Sequence, residues 1–96
     1  MKNGVKNGIN VELIMQLDAR NITAEELAKI LGVSTRTACE KLLGVKPFYL
    51  KDYEKFKESE KGKFATPRMF KGKLKDFAYI GITRKTYEKM IQELER

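Results

Sequence analysis

The sequence predicts an all-α fold, a bundle of five to six short helices, on three observations. Apolar residues recur at helical spacing in several successive short stretches. Helix-capping residues stand at the edges of those stretches: Asn10, Thr23, Ser34 and Thr66-Pro67 at the starts, Gly32, Gly44 and Gly62 at the ends. Ninety-six residues with 42% hydrophobic content suit one compact domain with a packed core, and exclude wholesale disorder.

The chain opens with a near-repeat, Lys2-Asn3-Gly4 then Lys6-Asn7-Gly8. Residues 1–9 therefore read as a flexible basic arm, either a frayed terminus or an arm lying along phosphates or in a minor groove. Asn10 caps a helix through about Ala19, with Val11, Ile14, Met15 and Leu17 on its buried side, and Arg20-Asn21 end it. Residues 23–44, TAEELAKILGVSTRTACEKLLG, hold the clearest pattern in the chain. Thr23 and Glu26 form a capping box, and Leu27, Ala28, Ile30 and Leu31 follow as an apolar face. Gly32 stands where a left-handed backbone is wanted, because it has no Cβ to clash. Val33 plugs the corner. Ser34 caps a second helix with Ala38, Leu42 and the methyl of Thr37 inward, and Gly44 closes it. Ala28 supplies the small residue that two steeply crossing helices need at their closest approach. This is the pattern of a helix-turn-helix, whose second helix enters the major groove of duplex DNA.

After Gly44, Pro47 suits a loop or a first helical turn. Leu50, Tyr53 and Phe56 recur on one face, with Phe48 and Tyr49 packing at the entry and Gly62 as the stop. Lys51, Asp52, Glu54, Lys55, Lys57 and Glu58 fill the solvent side. The order helix, LAKILGVSTRT, ACEKLLGVKPF, helix resembles the lambda-repressor-like group, the Cro/CI or XRE-type regulators common in bacteriophages. The stretch KLLGVKPF, from Lys41 to Phe48, is similar to the loop after the recognition helix in that group. The resemblance covers roughly residues 10–58. It implies a lambda-repressor-like DNA-binding unit over 10–60 and a transcriptional regulator, of repressor type, that reads DNA with residues 34–43. Two features depart from the group: Ala38 stands where a larger apolar residue is usual, and Glu40 places a negative charge on the DNA-facing side.

Residues 61–73 form a basic linker or wing. The run 61–75 carries six basic residues and no acidic one, with Phe64, Met69 and Phe70 interleaved. Either Thr66-Pro67 starts a short helix, or residues 63–71 fold as a small basic hairpin; Arg68, Lys71 and Lys73 are its candidate phosphate contacts. Residues 74–96 read as a helical pair. Aligning Gly81 with Gly32 sets IGITRKTYEKMI against LGVSTRTACEKL, the outline of a second, degenerate helix-turn-helix. The alternative is a plain packing or dimerisation helix over 83–95, with Tyr87, Met90, Ile91 and Leu94 as its inward stripe.

The formal net charge of +7 points to a polyanionic partner. That charge is uneven: residues 1–43 hold six basic against five acidic residues, and residues 44–96 hold fourteen against eight. Double-stranded DNA is the expected partner, with a protein partner as the alternative. A homodimer and a monomer with two unlike motifs are the two expected arrangements. The single cysteine and the absence of histidine leave no disulfide and no usual zinc set, so neither metal nor cofactor is expected. No nucleophile with a base beside it and no phosphate-cradling glycine loop is present, so the chain is not expected to be an enzyme. A polar N-terminus and the lack of any spanning apolar run suggest a cytoplasmic protein without membrane contact.

The candidate contacts follow from the geometry of a recognition helix, which turns its first turn and outer side to base edges. Those are Thr35, Arg36, Cys39 and Glu40. Arg36 suits a bidentate contact to guanine. Glu40 either accepts from a cytosine or pairs with Arg36 four residues earlier. Ser34, Thr37 and Lys46 are placed for phosphates. The equivalents in the second motif are Thr83, Arg84, Lys85 and Lys89. On the same placement, Cys39 would be a small, half-exposed residue, with a redox switch as the sharper alternative.

Overall fold

A computed structural model describes residues 9–71 and 84–95. Six helices and no strand occur among them: α1 (Val11–Ala19), α2 (Ala24–Leu31), α3 (Thr35–Leu42), α4 (Leu50–Glu58), α5 (Pro67–Lys71) and α6 (Arg84–Glu95). The arm at residues 1–8 lies outside the described residues. So do residues 72–83, where the first helix of the second motif is expected, with Lys73 and Thr83.

The first three helices end in the same way. Asn21, Gly32 and Gly44 adopt left-handed backbone, with φ of 57°, 76° and 87°. After α1, the Asn21 amide donates to Asp18 O (3.1 Å) and the Ile22 amide to Leu17 O (2.9 Å). After α2, Gly32 donates to Lys29 O (3.3 Å) and Val33 to Ala28 O (3.0 Å). After α3, Gly44 donates to Lys41 O (3.3 Å) and Val45 to Glu40 O (2.8 Å). Each is a Schellman turn, which satisfies carbonyls the helix leaves over and reverses the chain within two residues. The starts are capped too: Asn10 Oδ1 accepts from the Leu13 amide, and Thr23 and Glu26 form the expected reciprocal box.

The core gathers Leu13, Ile14 and Leu17 from α1, Leu27, Ala28 and Leu31 from α2, Ala38 and Leu42 from α3, Phe56 from α4 and Met90 from α6. α2 packs on α3 and α4, α1 on α3 and α5, and α6 on α3. Phe70 of α5 sits edge-on to Phe48 (centroids 4.9 Å) and Tyr53 (5.7 Å), while Phe64 sits edge-on to Phe56 (5.7 Å). Each such pair adds about 0.5–1.5 kcal/mol beyond its burial. The interleaved aromatics of the basic segment thus serve the core.

Several expected positions are corrected. Residues 67–71 are helix, so the segment 63–71 is not a hairpin. Met15 lies exposed, while Leu13, not singled out in the sequence, is fully buried. Leu50 is 67% exposed because it is the first residue of α4 and projects past the core, and Tyr49 beside it is also exposed. Asp52 is buried rather than solvated. α4 stops at Glu58, where the Ser59 hydroxyl donates to Phe56 O (2.6 Å); Gly62 comes later and lies flat against Phe56.

Candidate nucleic-acid interface

The α2 and α3 pair is joined by three residues, and each has a distinct task. Gly32 makes the left-handed turn, Val33 tucks half-buried against the core, and Ser34 starts α3. Ser34 Oγ accepts from the Thr37 amide (3.1 Å) and donates to Thr37 Oγ1 (3.0 Å). Both hydroxyls are therefore engaged with each other in the cap. The Thr37 hydroxyl proton is the one the cap does not use.

α3 is enclosed on three sides. On a helix turning about 100° per residue, Ala38 and Leu42 face inward, Lys41 turns to α4, and Thr35 and Cys39 turn to α6. A cleft of about 450 Å³ between α1, α2, α3 and α6 is lined by Thr35, Cys39, Thr86 and Lys89 among others. α6 is tied to α1 there, with the Thr86 hydroxyl donating to the Asp18 carboxylate (3.0 Å).

Arg36 and Glu40 occupy the open side. Arg36 Nε lies 3.4 Å from Glu40 Oε2, with side chains 51% and 12% exposed. Lys46, from the turn after α3, brings its Nζ to 2.9 Å from the other Glu40 oxygen. The Arg36 pairing expected for Glu40 is present, and the second cation changes its meaning. Arg36 can leave for another anion without stranding the carboxylate, because Lys46 still holds it. An Arg, a Glu and a Lys together leave this patch with an excess of one positive charge.

Cys39 is the main correction among the site residues. It is 1% exposed and belongs to the core, facing away from the open side of α3. Burial, reinforced by the negative charges of Glu93, Glu40 and Glu25, pushes its thiol up to about 11. At neutral pH the thiol is protonated and covered, the opposite of what a redox switch requires. Thr35 is half-buried in the same direction.

The other candidates are dispersed. Arg68 is exposed on α5, which packs on α1 and α4, and Lys71 ends the same helix. Arg84 opens α6, and Lys85 and Lys89 are exposed on it. Met90 is buried, with Tyr87, Ile91 and Leu94 packed against the core, so the expected inward stripe of the last helix is spent on the bundle. Elsewhere, lysines hold backbone carbonyls. Lys55 Nζ donates to Leu31 O (3.2 Å), and Lys57 Nζ to Lys63 O (2.8 Å) and Ala65 O (3.0 Å). Part of the basic excess is thus structural.

The residues missed in the sequence are Lys41 and Asp52. Lys41 Nζ donates to Asp52 Oδ2 (2.9 Å) and to Pro47 O (3.0 Å), and both side chains are buried. The Tyr49 amide donates to the same carboxylate oxygen (2.8 Å), so one buried acid fixes both α3 and the start of α4. A signal existed: Lys41 falls three residues after inward Ala38, where a charge needs a partner.

No family model, curated protein or solved structure matches the chain. No helix among the described residues is long and apolar enough to cross a membrane.

Proposed function

We propose that the chain is a sequence-specific duplex-DNA-binding transcriptional regulator of phage or mobile-element type, with α2 and α3 as a helix-turn-helix and α3 in the major groove. The observation that carries this reading is the position of Arg36. It is an exposed guanidinium in the first turn of α3, directly after a Schellman turn, with Lys46 beside it on the same face. A planar fork in that place suits guanine O6 and N7, and Lys46 suits a phosphate. The net charge of +7 and the resemblance of residues 10–58 to lambda-repressor-like regulators support the same reading.

Selection from a random duplex pool tests it. An enriched palindrome indicates a homodimer, an asymmetric site a monomer. Retention without enrichment indicates an architectural, excisionase-like protein. On the selected site, Arg36→Ala should cost about 1–3 kcal/mol and relax preference at one base position. Unchanged binding by that variant would sink the assignment of α3. Exposed Val45, Tyr49 and Leu50, close in sequence to Lys46, favour one second reading, a protein-binding module. A duplex affinity that fails to fall steeply with salt would select it, since phosphate contacts release counterions.

A further inference from the structure

We infer that Glu40 is a positioning residue for base readout by Arg36: its carboxylate, locked by Lys46, aims the guanidinium at the groove and reads no base itself. This rests on the DNA-binding reading above.

A carboxylate on the groove side of α3 weakens the attraction to phosphates, so its presence there calls for a compensating task. The geometry supplies one. Arg36 and Glu40 are four residues apart on one face of the helix, and Glu40 Oε2 lies 3.4 Å from Arg36 Nε. A guanidinium is a rigid plane with donors on all its nitrogens. With the carboxylate at Nε, the two terminal nitrogens remain as the fork that matches guanine O6 and N7. Arg36 therefore need not leave Glu40 to read a base. Its side chain is half exposed while that of Glu40 is only 12% exposed, so the arginine is the member able to reach a base edge.

The carboxylate is itself fixed from a second direction. Lys46 Nζ lies 2.9 Å from Glu40 Oε1. The main-chain carbonyl of Glu40 accepts from the amides of Val45 (2.8 Å) and Lys46 (3.2 Å). Lys46 is thus tied to Glu40 by backbone and side chain together, in the turn made at left-handed Gly44. Both Glu40 oxygens face cations, so turning to a cytosine amine would give up an ion contact. An arginine aimed before binding loses less freedom on binding, and a recognition group held by its neighbours discriminates better than a loose one. An ammonium has three donors, so Lys46 can meet a phosphate while it holds Glu40. Phosphate, Lys46, Glu40, Arg36 and guanine then form one connected series, in which a backbone contact sets the aim of a base contact.

Base preference, measured position by position by fluorescence anisotropy on the duplex enriched from the random pool, tests this in the full-length chain. Arg36→Ala identifies the position that Arg36 reads, as the one where preference relaxes. Glu40→Gln keeps the size of the side chain and removes its charge. It should cut preference at that same position by about threefold or more. It should also raise affinity for unrelated duplex by about two- to fivefold, because one negative charge is gone. Glu40→Asp keeps the charge and shortens the reach, and should lose the preference without the gain in affinity. Lys46→Met should weaken binding to every duplex, as loss of a phosphate contact does, and should also blunt the Arg36 position, which a phosphate contact alone would not. In the Arg36→Ala background, Glu40→Gln should change no preference further. Preference lost at a different position in Glu40→Gln makes Glu40 the reader of its own base and overturns the inference. A uniform gain in affinity with every preference kept overturns it too. If Glu40→Gln fails to fold, preference kept at the Arg36 position by Glu40→Asp overturns it in the same way. Should Arg36→Ala relax no position, or wild type retain no duplex, the DNA-binding reading itself fails and takes the inference with it.

Discussion

The buried Lys41/Asp52 pair makes a quantitative prediction about how α3 is held. The perturbation is Asp52→Asn, which keeps shape and an acceptor for the Tyr49 amide but removes the charge. In that variant the Lys41 ammonium stays buried without a counter-charge, among neutral groups: the shared acceptor oxygen at position 52, Pro47 O at 3.0 Å, and the Tyr49 and Phe48 rings at 4.8 and 5.7 Å. Leaving one member of a buried pair uncompensated costs about 3–5 kcal/mol. Lys41→Met strands the carboxylate and should cost a similar amount. A domain of 60–100 residues loses about 4–8 °C of melting temperature per kcal/mol, so each single variant should melt roughly 12–40 °C lower. The double variant Lys41→Met/Asp52→Asn removes both charges, and should recover most of that loss, because neutral replacement of a buried pair is often close to neutral in stability. Urea titration followed by far-UV circular dichroism gives the four stabilities of the cycle. A coupling above about 2 kcal/mol is expected for residues in direct contact. Single effects below about 0.5 kcal/mol that simply add would place the pair in solvent, where ion pairs contribute little, and refute the buried contact of Lys41 with Asp52.

Three further predictions concern stability and titration. A Cβ at Gly62 would stand 1.9 Å from Phe56 O, a backbone atom that cannot step aside cheaply. Gly62→Ala should therefore destabilise by about 3 kcal/mol in the same urea assay. Because its thiol is buried and pushed up to about 11, Cys39 should react slowly with iodoacetamide at neutral pH in the folded protein and rapidly once urea unfolds it. Glu26 is held below the ordinary carboxylate range, first by its hydrogen bond with Lys61 Nζ (2.7 Å) and then by the Thr23 amide. Its folded value is depressed, so its contribution is present above that range and disappears as acid titrates it through the lowered value. Glu26→Gln should flatten this part of the acid limb of a stability profile, and added salt should shrink the difference, because the pair is exposed.

Local chemistry was legible in the sequence, and its long-range consequences were not. The caps at Asn10, Thr23 and Ser34 and the left-handed residues at 32 and 44 place α1, α2 and α3 almost to the residue, because a cap acts within one turn of its own position. Leu50 misled because three apolar residues at helical spacing suggest a stripe, and the spacing does not say how far the first of them overhangs the core. Nothing local marks Asp52 as buried, because its partner is eleven residues away on another helix. Cys39 is the clearest case. The motif alone places it at the edge of the outer face, and residues of α1, α2 and α6 around it, the last from far along the chain, make that place core. Four-residue spacing shows the Glu40 pairing with Arg36, whereas Lys46 reaches Glu40 only through the turn made at Gly44. The hairpin and helix alternatives over 63–71 could not be separated on composition. Burial of Phe70 among Phe48, Tyr53 and Phe56 decides for the helix.

α4 grips both members of the central pair from behind. Lys55 reaches the last carbonyl of α2, and Asp52 holds Lys41 of α3. The angle between α2 and α3 is therefore set by contacts that do not involve Arg36, Glu40 or Lys46. Substitutions at exposed positions away from such contacts usually shift stability by no more than about 0.5 kcal/mol. The outer face can accordingly change its side chains while the backbone that presents them stays in place. This separates evolvability from foldability: the rear of the pair is constrained, and the front is free to acquire a new preference.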